Sequence, residues 1–540
     1  MLKYLYKGLN NSYKFLFFTT LLSIFLVSIM DVVQGFLFML FMNRALQINN
    51  YPLWLLAVIG FGFIVCYYLI SFLSSYLLSN LLKRIREEIV HDSLGKYLEL
   101  NTSEFMKNET PSSITSFINN EVENLVGNYY SYIFQLFGVA CSIVLGLIYL
   151  SFLSFYFIIP IFITIIILIL IMLFSKKKIN SNYTSLFQKN SLVIKLINNI
   201  SNFFIISKMF SYKKFLIAHI DKEYLEYSTQ KMKTTRFDLF LEKANGVLSL
   251  ILFISLYTIA VALAIKGNIN GGEIVSIIQI CSIIISPFFV ISFVFKSMNN
   301  TKSTREKIKK LLNYSNNHQE NKPLKITIIT GENISFSYNE NSKIIDTFSF
   351  EFKIGDHIGI IGESGSGKST FLKIISKIID SYEGKIIINN KLDLRDLTDE
   401  VYFNEVKLLT QEPILLNDSI KNNIVLNDSF DENKFYKIFN ELKLNNSFED
   451  INFKIDTEKQ NFSLGEARRI CLTRILYSNP NFILLDEPFA SLDEENRLII
   501  EKVLLNLKDT CIVIASHIFS DKFYESLNKK YYLSKKTKNL

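Results

Sequence analysis

Residues 362–370 combine glycine, serine and lysine in a pattern that could bind phosphate. They are Gly362, Glu363, Ser364, Gly365, Ser366, Gly367, Lys368, Ser369 and Thr370. An apolar run at 358–361, typical of a strand, precedes them, and a helical segment at 371–379 follows. In that order, the glycines let backbone N–H groups wrap phosphates, and the helix N-terminus adds a positive dipole end. We therefore expect a phosphate loop rather than a chance glycine turn, with Lys368 reaching the β- and γ-phosphates and Ser369 ligating Mg²⁺.

Two adjacent acids follow another apolar run farther along the chain. Residues 482–485 lead into Asp486 and Glu487, and Pro488 comes next. We expect Asp486 to bind the magnesium ion and Glu487 to orient or deprotonate the attacking water. Taken alone, such a pair could be a solvated turn. Together with the phosphate loop, it predicts hydrolysis of a nucleoside triphosphate.

The first three hundred residues are more apolar than the part that carries these motifs. Of the 540 residues, 49% are hydrophobic and 20% charged, and the mean hydropathy is +0.24. This excludes a disordered, collagen-like or disulfide-scaffold protein, and the five cysteines lack a metal-site or redox spacing. A bilayer core requires about 20 apolar residues per helix. Six runs reach that length, near 14–42, 53–80, 127–150, 154–175, 244–265 and 273–295.

Lysine and arginine mark one side of these runs. They cluster before the first run and after the second, fourth and sixth, whereas the segments near Asn49 and Ser151 are nearly free of them. By the positive-inside rule, both termini face the cytoplasm. The net charge of +8 is therefore largely a topology signal, and we expect no nucleic acid partner.

Polarity divides the chain into a membrane part, a linker and an α/β part. Segments 81–126 and 176–243 have apolar residues at helical spacing among polar ones, which predicts cytoplasmic extensions of the helices. Segment 313–325 is polar and lacks periodicity, as a linker does. We predict an all-α six-helix transmembrane domain at 1–312 and an α/β phosphate-loop ATPase domain at 326–540. In the latter, β-branched runs predict strands near 325–329, 358–361, 384–388, 482–485 and 510–514.

Further motifs make the C-terminal half resemble the nucleotide-binding domain of ATP-binding cassette (ABC) proteins, and the six-span half is similar to the membrane domain of ABC exporters. The resemblance implies ATP and Mg²⁺ as cofactors. It also implies roles for single residues. Gln411 is the Q-loop glutamine, which would bind Mg²⁺ together with Ser369 and Asp486. His517 is the switch histidine on the γ-phosphate, Tyr338 the aromatic that stacks on adenine, and Ser491-Leu492-Asp493 the D-loop. Glu487, His517 and Gln411 would then form the catalytic group.

The signature motif departs from the family pattern. Phe462-Ser463-Leu464-Gly465-Glu466 lies where the family usually has Leu-Ser-Gly-Gly-Gln. By resemblance, Ser463, Gly465 and Glu466 contact the ATP held by a second subunit. Glu466 is a mild change, whereas Leu464 could crowd that nucleotide. Segment 455–460 also lacks the glycine usual before the signature.

Two cytoplasmic segments resemble the intracellular loops of exporters, namely 84–123 and 206–210. In that family the loop tips are short coupling helices seated on the ATPase domains, the second on the partner subunit. The alternative is that these are amphipathic helices packed on one another.

The resemblance implies a dimeric half-transporter in the bacterial cytoplasmic (inner) membrane. It would be multi-pass and in contact with membrane lipid, with both termini and the ATPase domain in the cytoplasm. We expect a homodimer, while a heterodimer stays open. The expected activity is export of a peptide or drug-like amphiphile. The alternatives are a flippase for a lipid or lipid-linked saccharide, and a non-transporting membrane ATPase that acts as sensor or scaffold. No protease-like segment precedes the first span, so we do not expect leader-peptide trimming.

Asp31 and Gln34 are the candidate residues of a transport path. They lie one helical turn apart in the first span and therefore share a face. An ionisable side chain in a span usually faces a cavity or a partner group. Asp31 could contact a polar or cationic substrate, or it could pair with a neighbouring helix, and the sequence leaves both open.

Overall fold

The protein forms two compact units. The computed structural model describes residues 11–108, 111–314, 324–339, 342–426, 429–457, 459, 461–490, 492–517 and 519–533. One unit comprises Met1–Leu98 and Pro111–Tyr314, and the other Glu99–Thr110 and Ser315–Leu540. The short segment at 99–110 thus groups with the C-terminal unit, although it lies between helices of the first. Most of the predicted linker, at 315–323, lies outside the described residues.

The regular elements described in the N-terminal part of the chain are helices. Its helices are α1 (Asn11–Ala45), α2 (Leu53–Glu99), α3 (Thr102–Asn108), α4 (Pro111–Ser116), α5 (Glu123–Leu125), α6 (Ser131–Leu153), α7 (Ile158–Met209), α8 (Lys213–Ile265), α9 (Gly271–Asn300) and α10 (Lys302–Leu312). Two π-helical stretches, Phe117–Val122 and Val126–Tyr130, lead into α6.

Six of these helices contain the predicted apolar runs. Five have the length and apolarity of a membrane span, and α9 is apolar over Gly271–Ile285. Three helices, α2, α7 and α8, have 47, 52 and 53 residues. At about 1.5 Å per residue they are much longer than the roughly 30 Å hydrocarbon core, so they extend beyond it.

A small residue allows two membrane helices to pack closely, and a capping pair begins one of them. A Cβ on Gly146 of α6 would lie 3.1 Å from Ile284 Cγ1 of α9, so glycine allows these helices to approach closely. Asn270 and Glu273 form reciprocal hydrogen bonds, backbone N–H to side chain, that cap the start of α9. The core of this unit is mainly aliphatic and includes Leu252, Leu256 and Ile280, with the Phe157 ring among them.

The C-terminal unit is α/β. Its strands are β1 (Ile328–Asn339), β2 (Ser342–Lys353), β3 (His357–Ile361), β4 (Glu383–Ile388), β5 (Leu392–Asp393), β6 (Val406–Leu409), β7 (Phe482–Asp486), β8 (Cys511–Ala515) and β9 (Lys529–Tyr532). Its helices are α11 (Lys368–Ile375), α12 (Asp399–Glu405), α13 (Ile420–Val425), α14 (Glu432–Glu441), α15 (Leu464–Ser478), α16 (Glu494–Leu505) and α17 (Asp521–Glu525).

The strands form two sheets. One is parallel with the order β6-β7-β8-β3-β9, and the other is antiparallel with the order β2-β1-β4-β5. Every residue of β7 and β8 is buried, which explains their continuous apolar runs. The carboxyl ends of β3, β7 and β8 meet at one edge, where ligands bind in open α/β sheets.

Two predicted boundaries were wrong. The strand predicted at 325–329 begins at Ile328 and continues to Asn339, because it pairs along its length with β2 and β4. The helix predicted at 371–379 is Lys368–Ile375. It ends early because Lys377 adopts a left-handed backbone conformation with a φ of 59°.

Candidate active site

The phosphate loop has a backbone that suits glycine at two positions. Gly365 and Gly367 have φ angles of 78° and 96°, in the left-handed region, and Gly367 caps α11. Gly362 is required for another reason, because a Cβ there would lie 2.4 Å from the carbonyl oxygen of Leu533. These three glycines therefore bring the backbone N–H groups of the loop to the start of α11, where an anion is stabilised.

Lys368 lies across the loop. Its Nζ donates hydrogen bonds to the carbonyl oxygens of Gly362 and Glu363, at 2.8 and 3.1 Å. The side chain is buried, and its Nζ lies 3.9 Å from Glu487 Oε1. The hydroxyl of Ser366 is buried without a hydrogen-bond partner among the described residues. A buried donor without a partner and a buried cation fit a bound phosphate group.

Ser369 and Asp486, two of the three residues predicted to bind the metal, are in direct contact. The Ser369 hydroxyl at the start of α11 donates to Asp486 Oδ1 at the end of β7, over 2.9 Å. Burial raises the pKa of Asp486, and the bond from Ser369 partly offsets that effect. Within the described residues, no cluster of three His, Cys, Asp or Glu side chains could hold a metal ion. A hydroxyl and a carboxylate fit Mg²⁺, which takes its other oxygen ligands from nucleotide and water.

Glu487 lies between Lys368 and His517. Its Oε1 is 2.9 Å from His517 Nδ1, and its Oε2 accepts a hydrogen bond from the Ser516 hydroxyl at 3.2 Å. Glu487 has a φ of 46°, which is unusual for a residue with a side chain, and its N–H donates to the Ala515 carbonyl at 2.8 Å. Such strain persists only where surrounding contacts fix it, and it is frequent at active sites. The carboxylate is thus held in one place beside the phosphate loop.

The structure brings Tyr338 to the phosphate loop but leaves the Gln411 side chain apart from the metal pair. The Tyr338 ring is exposed, and its hydroxyl lies 3.5 Å from Thr370 Oγ1. Gln411 follows β6, the neighbour of β7, so it lies at the same sheet edge. Its side chain is exposed and hydrogen-bonds to neither Ser369 nor Asp486.

The signature motif forms the N-terminus of α15. Ser463 Oγ accepts from the N–H of Glu466 at 3.2 Å, and Glu466 Oε2 accepts from the N–H of Ser463 at 2.8 Å. Burial alone would raise the pKa of Glu466, but hydrogen bonds from Ser463 and Ser447 outweigh it and lower the pKa. The reciprocal capping explains why a glutamate works at this position. Leu464 is 48% exposed, and a Cβ on Gly465 would lie 3.3 Å from Leu492 Cδ2.

Two residues of the site were missed from the sequence. Ser516 positions the Glu487 carboxylate, and its only signal is its place between a buried strand and His517. Arg468, buried in α15, donates from Nη2 to the Gln411 carbonyl at 3.1 Å. Burial lowers the pKa of Arg468, while the charge of Glu487 raises it. Arg468 therefore links the signature helix to the segment that carries Gln411.

Comparison with known families agrees with this geometry. The family described as the ABC transporter transmembrane region matches residues 15–288, and the ABC transporter family matches residues 345–490. The chain belongs to the ABC transporters. It has one membrane region followed by one cassette, which is the organisation of an ABC exporter half-transporter.

Individual relatives of this ABC transporter are distant. It is 26% identical over 460 residues to a putative export ATP-binding/permease protein of Rickettsia bellii, covering 81% of this chain and 77% of that one. It is 27% identical to the microcin-J25 export ATP-binding/permease protein McjD of Escherichia coli over 51% of this chain and 48% of that one. It is 26% identical to the ATP-dependent lipid A-core flippase of Francisella tularensis, over 54% of this chain and 51% of that one. This ABC transporter thus spans about half the length of the latter two relatives.

A solved structure shares the fold. The ATP-bound structure of a bacterial Atm1-family ABC exporter superposes with a TM-score of 0.82 over 97% of this chain and 94% of that one, at 16% identity. The predicted helical membrane domain followed by an α/β cassette is therefore confirmed. This ABC transporter is a multi-pass membrane protein whose ATPase activity is coupled to export.

Proposed function

We propose that this ABC transporter exports a peptide or drug-like amphiphile that carries a positive charge. It works as a homodimer in the bacterial inner membrane, with both termini and the cassette in the cytoplasm. ATP and Mg²⁺ are its cofactors. The observation that supports this substrate class is the hydrogen bond between Asp31 and Tyr67.

Asp31 is an isolated charge in an apolar environment. It is the only Asp, Glu, Lys, Arg or His in the six predicted spans, apart from Lys14 and Glu273 at span ends. Its Oδ1 accepts a hydrogen bond from the Tyr67 hydroxyl of α2 at 3.1 Å. Tyr67 is a neutral donor, and no cationic side chain pairs with Asp31 in the part of the chain that the structure describes. A substrate cation supplies the missing charge.

The tyrosine that contacts this carboxylate belongs to a group of aromatic rings on α2. The Tyr67 ring stacks on Phe63 with 6.1 Å between centroids and meets the edge of Tyr68 at 5.5 Å. Aromatic faces attract organic cations, and their apolar surface suits an amphiphile. Gln34, half-buried one turn from Asp31, adds a neutral polar group. This combination favours a cationic amphiphile over a lipid-linked saccharide, whose recognition needs many neutral hydrogen-bonding groups.

The tip between α7 and α8 supports a dimer. Met209 and Phe210 are neighbours in the chain and are 74% and 72% exposed, so the tip presents apolar surface that a partner could cover. The cassette has a cleft of about 480 Å³ beside Gln411, whose lining includes Thr410, Ile414 and Leu426. We infer that the tip of one subunit occupies the cleft of its partner, as the resemblance to exporters implies.

The resemblance to ABC proteins, together with the geometry around Glu487, supports the following catalytic roles. The loop from Gly362 to Thr370 binds the phosphates, and Ser369 and Asp486 hold Mg²⁺, which would neutralise phosphate charge. Glu487, fixed by Ser516 and His517, orients and deprotonates the attacking water. His517 and Gln411 respond to the γ-phosphate. Ser463, Gly465 and Glu466 of one subunit contact the nucleotide of the other.

ATPase stimulation in lipid nanodiscs tests the substrate class. The probes are a cationic amphiphilic peptide, the same peptide with its amines acetylated, and a lipid-linked saccharide. We expect stimulation by the cationic peptide alone. Asp31→Asn should abolish that stimulation and leave basal hydrolysis unchanged, while Tyr67→Phe should weaken it. Stimulation by the saccharide alone would support the flippase instead, and equal stimulation by both peptides would contradict recognition of charge.

Purification of the chain expressed alone tests the homodimer. Light scattering in detergent should give twice the chain mass in addition to the micelle. After replacement of the native cysteines, a Met209→Cys and Leu426→Cys pair should cross-link two subunits. A monomer that hydrolyses ATP only after a second, different chain is added would show a heterodimer.

A further inference from the structure

A buried acid on α16 holds the segment that follows His517. Glu501 is 3% exposed, and its carboxylate accepts two hydrogen bonds from one residue. Oε1 accepts from the backbone N–H of Ser520 at 3.1 Å, and Oε2 accepts from the Ser520 hydroxyl at 2.6 Å. Ser520 lies three residues after His517. Hydrogen bonds to a carboxylate are stronger than neutral ones, so this is a firm anchor.

The same segment is fixed by aromatic packing. The Phe519 ring meets the edge of Phe489 at 6.2 Å and stacks on Phe523 at 6.2 Å. Phe489 lies two residues after Glu487. The Ser520 hydroxyl also accepts from the Phe523 N–H at 3.2 Å and so begins α17. The segments that follow His517 and Glu487 are therefore packed on each other, and Glu501 holds one of them in place.

A cap for α17 does not require Glu501. Ser520 makes the capping bond with its own hydroxyl, as serine commonly does at a helix start. A buried carboxylate adds a desolvation penalty, and the ion pair described for it is a long one, with Arg497 Nε 4.0 Å from Oε1. What the carboxylate adds is the position of the Ser520 backbone. We propose that Glu501 is a positioning residue for ATP hydrolysis, which keeps the His517 imidazole at its 2.9 Å contact with Glu487.

Basal ATPase kinetics of the full-length transporter test this role. Glu501→Gln keeps the length and one acceptor but loses the charge, and Ser520→Ala removes the hydroxyl. Each should lower kcat by roughly tenfold with little change in the KM for ATP, because displacement of a catalytic group by about 1 Å can reduce rates up to a hundredfold. Ser520→Thr keeps the hydroxyl and should retain activity. Glu495→Gln, on the exposed face of α16, is the matched control.

A double-mutant cycle separates positioning from stability. In a His517→Ala background, Glu501→Gln should lower kcat no further, since its effect acts through the imidazole. A full additional loss in that background would overturn the proposal. If hydrolysis by the His517→Ala variant is too slow to measure, the comparison of Ser520→Ala with Ser520→Thr replaces the cycle. Equal kcat values for these two variants would show a structural role, and so would kcat changes that only follow the melting temperature. Basal hydrolysis needs no transported substrate, so this result is independent of the substrate class.

Discussion

The contact between α3 and the cassette provides a quantitative test of coupling. The backbone N–H and the hydroxyl of Thr102 both donate to Asp399 Oδ2, at 2.7 and 2.8 Å. Asp399 Oδ1 lies 3.0 Å from Lys377 Nζ. Lys377 follows α11 by two residues, and α11 begins with Lys368 and Ser369 of the phosphate loop. A connected path thus leads from the segment after α2 to the nucleotide site.

Thr102→Val removes one hydrogen bond and retains the shape of the side chain. A hydrogen bond to a charged group contributes about 1.5–3 kcal/mol. Coupling energies between two sites are typically about 1–3 kcal/mol, so this bond is comparable to the whole effect. We expect the substrate stimulation of ATPase activity to fall by about tenfold, whereas basal hydrolysis stays near the wild-type rate.

The assay compares basal and stimulated kcat in nanodiscs, together with the melting temperature. Asp399→Asn should reduce stimulation at least as much. It should also destabilise the cassette, because the Lys377 side chain is only 9% exposed and loses its carboxylate partner, while its hydrogen bond to the Leu397 carbonyl remains. In a Thr102→Val background, Asp399→Asn should reduce substrate stimulation little further, because both changes remove the same contact. Glu400→Gln, the exposed neighbour on α12, should change neither rate. Normal stimulation in a stable Thr102→Val protein would refute a role for this contact.

Three other outcomes follow from the active site. Lys368→Ala should abolish ATPase activity, and measurable turnover would remove Lys368 from phosphate binding. Glu487→Gln should bind ATP and remain in a closed dimer with hydrolysis reduced at least a hundredfold, as measured by nucleotide trapping; rapid turnover would rule out the catalytic carboxylate. The pKa of Glu466 is lower in the folded protein than in the unfolded chain, so the ionised carboxylate stabilises the fold. This stabilisation is complete above the ordinary glutamate pKa of about 4.3, and it is lost as the pH falls through the lowered pKa of the folded protein. The melting-temperature advantage of wild type over Glu466→Gln should therefore shrink in acid, and a constant difference from pH 7 to pH 3 would contradict the cap.

The parts of the site that could be predicted from sequence are local in the chain. The phosphate loop, its preceding strand and its following helix are contiguous, so backbone geometry restricts the residue types at each position. Asp486 and Glu487 could be placed because a buried strand leads directly to them. Parallel pairing then brings these two segments together at one sheet edge.

The parts that could not be predicted depend on distant residues. Thr102 and Asp399 are 297 positions apart, and nothing in either local pattern indicates that they meet. Glu501 has the appearance of a surface acid in a helix with several charges, and only the packing of α16 buries it. Arg468 is similar, because a basic residue near a helix start usually faces solvent. Buried polar residues such as these do not occur at the regular spacing of apolar residues in a helix or strand. Their burial therefore cannot be predicted from the sequence pattern.

The signature helix shows why a second subunit completes each ATP site in the proposed dimer. The Ser463 oxygen accepts from the Glu466 N–H, which leaves the hydroxyl proton available to another acceptor. The N-terminus of a helix of this length is an anion site. The proposed dimer would bring this N-terminus to the nucleotide held by the partner's phosphate loop. The exposed Leu464 side chain would lie at that same contact, and Leu464→Gly should therefore raise kcat/KM for ATP in a homodimer. An unchanged value would mean that Leu464 points away from the nucleotide.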